Sequence, residues 1–290
     1  MTAALGLALA LMAGAAQAET VKLSDELTIY YEKAGNGPTT ILFVPGWAMS
    51  TEVFEHQLAA FENSKEFTFV TYDPRGQGRS SKTEHGHFYQ QHGRDLNDLI
   101  KALKLDNIVL AGWSYGGLEA LAYVNEFGTE RLKGFVLIDA TPKSRGADNT
   151  KEWVWYSYED KDGFEAFFTM GPLLNRVETI KEFAAFMFAD KSEKNIAWAA
   201  SIAEKTNSTT MALLNAAGAH DDFTNDLISM DGHVPLLYIV NEGWGPVVSA
   251  WSKANTPSAK VSAILPSHIG FWEKPKMFNA EIMSFLNALK

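Results

Sequence analysis

Six short apolar runs, at 41–44, 67–72, 108–111, 135–138, 236–240 and 261–265, constrain the fold of this chain more than any other feature. They are bounded by Gly, Pro and Asp, and their nearly continuous hydrophobicity fits strands buried on both faces. Helical patterns lie between several of them. In the clearest, Leu96, Leu99, Ile100 and Leu103 form one apolar stripe behind a polar face of Asp95, Asn97, Asp98 and Lys101. Strand and helix in alternation imply an α/β architecture, a mostly parallel twisted sheet with helices on both faces. Upstream, residues 27–32 alternate and are followed by the turn signal Gly35-Asn36-Gly37-Pro38, which leads into Ile41. The sheet is therefore expected to open with an antiparallel hairpin.

The alternation stops between Pro142 and about Met230, where the chain turns helical and aromatic-rich, most densely from Trp153 to Trp198. A helical cap at 142–230, inserted between core segments 19–141 and 231–290, is the simplest reading. The first eighteen residues are set apart. Ala3 to Ala16 is almost entirely Ala, Leu, Gly and Met, and Ala16-Gln17-Ala18 has the A-x-A form of a secretory cleavage site, although no Lys or Arg precedes the run. This predicts a signal peptide at 1–18 and a bacterial periplasmic or secreted protein. The run is too short for a bilayer that needs about 20 apolar residues.

Composition excludes several functions. With no Cys among 290 residues, thiolate nucleophiles, Cys-bound zinc and iron–sulfur clusters are out of reach. A formal charge of −10 repels phosphate backbones, so nucleic acid is not an expected partner.

The chemistry concentrates after the run at 108–111, where Gly112-Trp113-Ser114-Tyr115-Gly116-Gly117 leads into the helix-forming Leu118-Glu119-Ala120-Leu121-Ala122. G-x-S-x-G between a strand and a helix is a nucleophile elbow: the turn is too sharp for side chains two residues either side of Ser114, and it lifts Oγ above the sheet. The helix N-terminus then points its free N–H groups at developing negative charge.

Here the chain resembles the α/β-hydrolase family, in its serine esterase-like branch with a helical cap. Tyr72-Asp73-Pro74-Arg75-Gly76-Gln77-Gly78-Arg79-Ser80 is similar to the family's D-x-R-G-x-G-x-S loop, and Ser267-His268-Ile269-Gly270-Phe271-Trp272-Glu273-Lys274-Pro275 to its H-x-x-x-x-E-x-P segment. The resemblance implies His268 as catalytic base and backbone N–H groups of Tyr115 and Trp47 as the oxyanion hole. Trp47 lies in a loop where the family commonly has His-Gly-x and this chain has Pro45-Gly46-Trp47. The family's usual acid position, after the strand at 236–240, reads Asn241-Glu242-Gly243-Trp244, without Asp. Some members carry the acid one strand earlier, which here gives Asp139, with Glu242 as the alternative.

Asp73 and Arg75 are expected to pin backbone near the elbow. His85, His87 and His92 lie on a segment that reads as a solvent-facing loop with no carboxylate spacing for a metal, and no cofactor is implied. Trp113, Trp244 and Trp272 flank the motifs and are expected to face an apolar substrate pocket. The expected activity is cleavage of a small, largely apolar carboxylic ester through an acyl-enzyme. Alternatives are a lactonase, a carbon–carbon bond hydrolase, a cofactor-free perhydrolase of haloperoxidase type, or a non-catalytic ligand-binding protein on the same fold.

Overall fold

The computed structural model describes residues 16–161 and 163–290; the signal-peptide reading of 1–18 falls largely outside them, and its last residues, Gln17 and Ala18, begin a strand. The strands are β1 (Gln17–Lys22), β2 (Thr28–Gly35), β3 (Thr39–Val44), β4 (Phe67–Tyr72), β5 (Ile108–Trp113), β6 (Leu132–Ile138), the two-residue β7 (Arg145–Gly146) and β8 (Tyr156–Ser157), then β9 (Leu236–Asn241) and β10 (Lys260–Leu265). The main sheet runs β1-β2-β4-β3-β5-β6-β9-β10. β1 and β2 are antiparallel to their neighbours, and every pairing from β4 to β10 is parallel. All six apolar runs are strands of this sheet, and β4 and β5 are buried along their whole length.

The expected opening hairpin is corrected. β2 does pair antiparallel, but with β1 and β4 and not with β3. β3 is apolar on both faces and gives both its edges to parallel partners, β4 and β5. β2, whose residues alternate between buried and half-buried, takes the outer place. The Gly35–Pro38 signal turns the chain without pairing the strands it joins: Asn36 N–H donates to Ser64 O at 2.9 Å, and Gly37 O accepts from Thr68 Oγ1 at 2.8 Å, which ties the link to the chain entering β4.

Helices α1 (Glu55–Phe61), α2 (Tyr89–Ala102) and α3 (Gly116–Phe127) connect the central strands. Helices α4 (Phe164–Leu174), α5 (Arg176–Met187), α6 (Glu193–Ala203), α7 (Ser208–Gly218) and α8 (Thr224–Ser229) lie between β8 and β9. The chain ends through α9 (Gly245–Asn255), α10 (Gly270–Glu273) and α11 (Pro275–Ala288). α1 packs with α11, and α2 with α3. Between sheet and helices Phe43 meets Phe54 edge-on, with ring centroids 5.1 Å apart, and also packs on Phe69 and Phe278. Among the described residues no helix is long and apolar enough to cross a membrane.

The polar face expected on α2 is only partly solvated. Asp95 is buried and accepts both Nε and Nη2 of Arg75, each at 2.6 Å. Arg75 thereby anchors the loop after β4 to α2, away from the chemistry. A buried pair that loses one partner leaves an uncompensated charge. Asp95→Ala is expected to lower unfolding free energy by about 3 kcal/mol in urea titration, and the double replacement Arg75→Met/Asp95→Leu by clearly less; equal losses would mean that the ion pair is not what anchors the loop.

Candidate active site

Only Ser114 and Tyr115 separate β5 from α3, so the chain must reverse its course within two residues. Ser114 pays for this with a φ of +54°, in the left-handed region that a residue bearing a Cβ enters only under constraint. The constraint is visible. Ser114 N–H donates to Ile138 O of β6 at 3.0 Å, and Gly117 N–H donates to Ser114 O at 2.9 Å. A Cβ on Gly112 would stand 2.4 Å from Gly116 O, and one on Gly116 would stand 2.4 Å from Val44 O, so neither position accepts any larger residue.

His268 follows β10, and its Nδ1 lies 2.7 Å from Asp139 Oδ2, with both side chains buried. Beside a carboxylate Nδ1 carries the proton, which leaves the Nε2 lone pair as the basic position. Asp139 is the first residue beyond β6 and has a φ of +41°. Its N–H donates to Ile239 O at 2.7 Å, and its Oδ1 accepts from Asn241 N at 2.8 Å and Asn241 Nδ2 at 2.9 Å. Glu242 is exposed and makes no hydrogen bond to His268, so the arrangement brings Asp139 to the imidazole and leaves Glu242 in solvent. Asn241, unremarked in the sequence, holds the other carboxylate oxygen. Ser114 and His268 line one pocket, and among the described residues no hydrogen bond joins them.

The loop after β3 runs directly against the serine, since a Cβ on Gly46 would lie 2.9 Å from Ser114 Cβ. Trp47 and Tyr115 both line the pocket with Ser114, and Tyr115 is the residue from which α3 starts. The loop between β4 and α2 braces this one: Gln77 Oε1 accepts Ala48 N–H at 2.5 Å, Ala48 itself having a φ of +58°, and Asp73 Oδ1 accepts Thr51 N–H at 2.7 Å. Burial pushes the Asp73 carboxyl up, while the Thr51 N–H and Arg79 pull the other way. Asp73 thus pins backbone, as expected.

The segment carrying His85, His87 and His92 is not the solvent-facing loop expected. His85 is exposed, but His87 and His92 are buried. His87 lies against Thr83 O at 3.0 Å, and burial lowers its pKa. His92 Nδ1 lies 3.0 Å from Glu119 Oε2, and Tyr72 hydroxyl donates to Glu119 Oε1. His92 and Glu119 also line a small void behind Pro45, Gly46 and Trp47. A buried imidazole from α2 therefore stands behind a loop in which the sequence shows Pro45. Among the described residues no group of three His, Asp or Glu side chains is placed to hold a metal.

The pocket containing Ser114 has an empty volume of about 390 Å³ including its mouth, and aromatic rings form most of its wall. An outer vestibule continues from it past Trp155, Phe164 and Phe186 to Asn241 and Trp244. The expectation for the tryptophans is thereby corrected. Trp113 is fully buried and donates its Nε1–H to His268 O at 2.9 Å, a support for the base and not a pocket wall. Trp272 stacks on Trp198 with centroids 4.5 Å apart and donates to Glu55, outside both cavities. Trp244 reaches only the vestibule, whereas Trp47 and Trp155 line the inner pocket. Tyr115, Tyr156 and Asn215 supply polar atoms there, and burial pushes both phenols well up, so that each keeps its proton at neutral pH.

Known proteins share this arrangement of chain. The family model described as alpha/beta hydrolase fold matches residues 39–178. A non-heme chloroperoxidase of Kitasatospora aureofaciens is 25% identical over 91% of this chain and 97% of its own length. The crystal structure of a bromoperoxidase from Bacillus anthracis superposes with a TM-score of 0.81 at 25% identity, covering 93% of this chain and 100% of that one. An esterase from Exiguobacterium antarcticum has the same fold, with a TM-score of 0.81 at 22% identity over 93% of this chain and 100% of its own.

The brace on the Ala48 N–H is testable on its own. Gln77→Leu leaves a buried donor unpaired and is expected to cost about 1–3 kcal/mol of stability, whereas Gln77→Glu retains an acceptor and should lose less. Chemical denaturation of the three proteins checks this; equal stability of Gln77→Leu and the wild type would show that the loop stands without the bond.

Proposed function

We propose that this chain, which belongs to the α/β-hydrolase family, is a serine esterase acting on small, largely apolar carboxylic esters through an acyl-enzyme. The observation that carries the reading is the Asp139–His268 contact of 2.7 Å, whose imidazole shares an aromatic pocket with Ser114, a serine held at a φ of +54°.

His268 Nε2 takes the Ser114 hydroxyl proton as Oγ attacks the ester carbonyl carbon. Asp139 holds the ring and stabilises the imidazolium that results. The carbonyl oxygen becomes an alkoxide, received by the N–H groups of Trp47 and Tyr115; each such donor typically lowers the barrier by about 3 kcal/mol. The tetrahedral intermediate collapses, His268 protonates the departing alcohol, and Ser114 remains acylated. Water, deprotonated by the same Nε2, then attacks the acyl carbon and releases the acid while the proton returns to Oγ.

Among the described residues no Lys, Arg, Asp or Glu lines the inner pocket, so an anionic or cationic substrate group would be desolvated there without a counter-charge. That supports an uncharged, apolar ester. The relatives named for halide oxidation support a second reading on the same residues: hydrogen peroxide in place of water would attack the acyl-enzyme, give its proton to His268 and leave as a peracid, which oxidises halide in solution. The run at 3–16 and Ala16-Gln17-Ala18 support export; cleavage after Ala18 would leave Glu19–Lys22 to pair with β2.

A fluorophosphonate probe is expected to label the protein and to leave Ser114→Ala unlabelled. In hydrolysis of p-nitrophenyl esters, Asp139→Asn is expected to lower kcat by a factor on the order of 10⁴, as for other triad acids, and Glu242→Gln to change it little. Labelling that survives Ser114→Ala, or a Glu242 variant more damaged than the Asp139 variant, would overturn the assignment.

A further inference from the structure

Besides Ser114 and His268, three polar side chains line the inner pocket, and hydrogen bonds join them in one chain. Asn215 on α7 places its side-chain amide 3.3 Å from Glu165 O and 2.9 Å from Thr169 Oγ1. A backbone carbonyl can only accept, so the group facing Glu165 must be the NH₂. Oδ1 therefore faces Tyr156, whose hydroxyl lies 3.1 Å away and has to donate to it. With its proton committed, Tyr156 can only accept from Tyr115, whose hydroxyl lies 3.2 Å off. Every donor of the chain Tyr115–Tyr156–Asn215 is thus consumed inside the protein. What remains for a ligand is acceptor capacity: the second lone pair of Asn215 Oδ1 and that of the Tyr156 oxygen.

The position of this acceptor end relative to the chemistry follows from His268, which lines both cavities, whereas Ser114 lines only the inner one. The departing alcohol receives its proton from His268, so it leaves on the vestibule side. The acyl group, bonded to Ser114, occupies the inner pocket among Trp47, Phe168 and Phe183.

Resting on the esterase reading above, we infer that the preferred acyl group is an aromatic or comparably apolar body carrying a hydrogen-bond donor, such as a hydroxyl, which Asn215 and Tyr156 receive. A plain hydrocarbon in the same place leaves the remaining lone pair of each acceptor unused. An ether or ketone sets acceptor against acceptor, with neither solvated.

The test compares p-nitrophenyl esters of 4-hydroxyphenylacetic, 4-methylphenylacetic and 4-methoxyphenylacetic acids. Hydroxyl and methyl are close in size and differ in the donor. The wild-type enzyme is expected to prefer the hydroxy ester over the methyl ester about three- to tenfold in kcat/KM, the worth of one neutral hydrogen bond. Asn215→Leu should erase this preference and, by freeing the Tyr156 O–H, raise the methoxy-to-methyl ratio above the wild-type value. A purely structural role for Asn215 would lower all three rates together. Equal kcat/KM for the hydroxy and methyl esters in the wild type overturns the inference and leaves the esterase reading intact, and it does so even if the variant fails to fold. Turnover of none of the esters by a wild-type enzyme overturns both.

Discussion

The site is organised by a collision that the chain avoids by a tenth of a nanometre or so of missing side chain. β5, the following helix and the loop after β3 approach so closely at Gly112 and Gly116 that only bare backbone fits, with carbonyl oxygens 2.4 Å from where either Cβ would stand. The residue between them is left no choice but a left-handed conformation, which costs of the order of 1–3 kcal/mol. Two backbone hydrogen bonds, to Ile138 and from Gly117, hold it there. That same closeness presents the serine to the Gly46–Trp47 backbone and to the first free amides of α3. The position of Ser114 and its backbone strain are consequences of one packing constraint.

The contact between Asp139 and His268 is governed by a second piece of geometry, strand adjacency. β6 and β9 are parallel neighbours with Ile138 opposite Ile239, so residues just beyond their ends face the same side of His268. A carboxylate issuing from either strand end can reach the imidazole. In this chain Asp139 comes from β6, and Asn241 from β9 donates from its backbone N–H and its side-chain amide to the far carboxylate oxygen. The run at 236–240 is followed by no Asp, and the residue that ends β9, Asn241, holds the Asp139 carboxylate instead.

This explains what was legible. Patterns set by a local requirement were: the buried strands, whose apolar character is continuous, the elbow with its two glycines, and His268 in its loop. Asp139 was also legible because it sits at a strand end, a position that topology defines. What resisted reading depended on partners distant in sequence. The turn at Gly35–Pro38 looks like a hairpin turn, but whether β2 pairs with β3 is decided by β4, more than thirty residues on from the start of β2. Tryptophans next to motifs alternate in direction along strand and helix, so adjacency in sequence put Trp113 into the core beneath His268 and Trp155, far from any motif, onto the ring of the base. His92 looked like a loop residue because its partner, Glu119, lies on another helix.

The helices over the sheet hold the reacting groups as well as enclosing them. Trp47, in the loop that runs against Ser114, donates its indole N–H to Met211 O of α7 at 2.7 Å. Ile269, next to the base, donates its N–H to Met187 O at the end of α5 at 3.0 Å. Glu273, three residues further into the segment after α10 begins, accepts the N–H groups of Ala189 at 3.2 Å and Asp190 at 2.9 Å. The rings of Phe186 on α5 and Trp155 before α4 complete the wall around the imidazole, each with its centroid 5.2 Å from that of His268. A displacement of α5 or α7 is therefore transmitted to the base or to the oxyanion loop through hydrogen bonds that carry no information about the substrate. α5 and α7 thus line the pocket and hold the segments that carry His268 and Trp47, so the shape of the pocket and the placement of those two residues rest on the same helices.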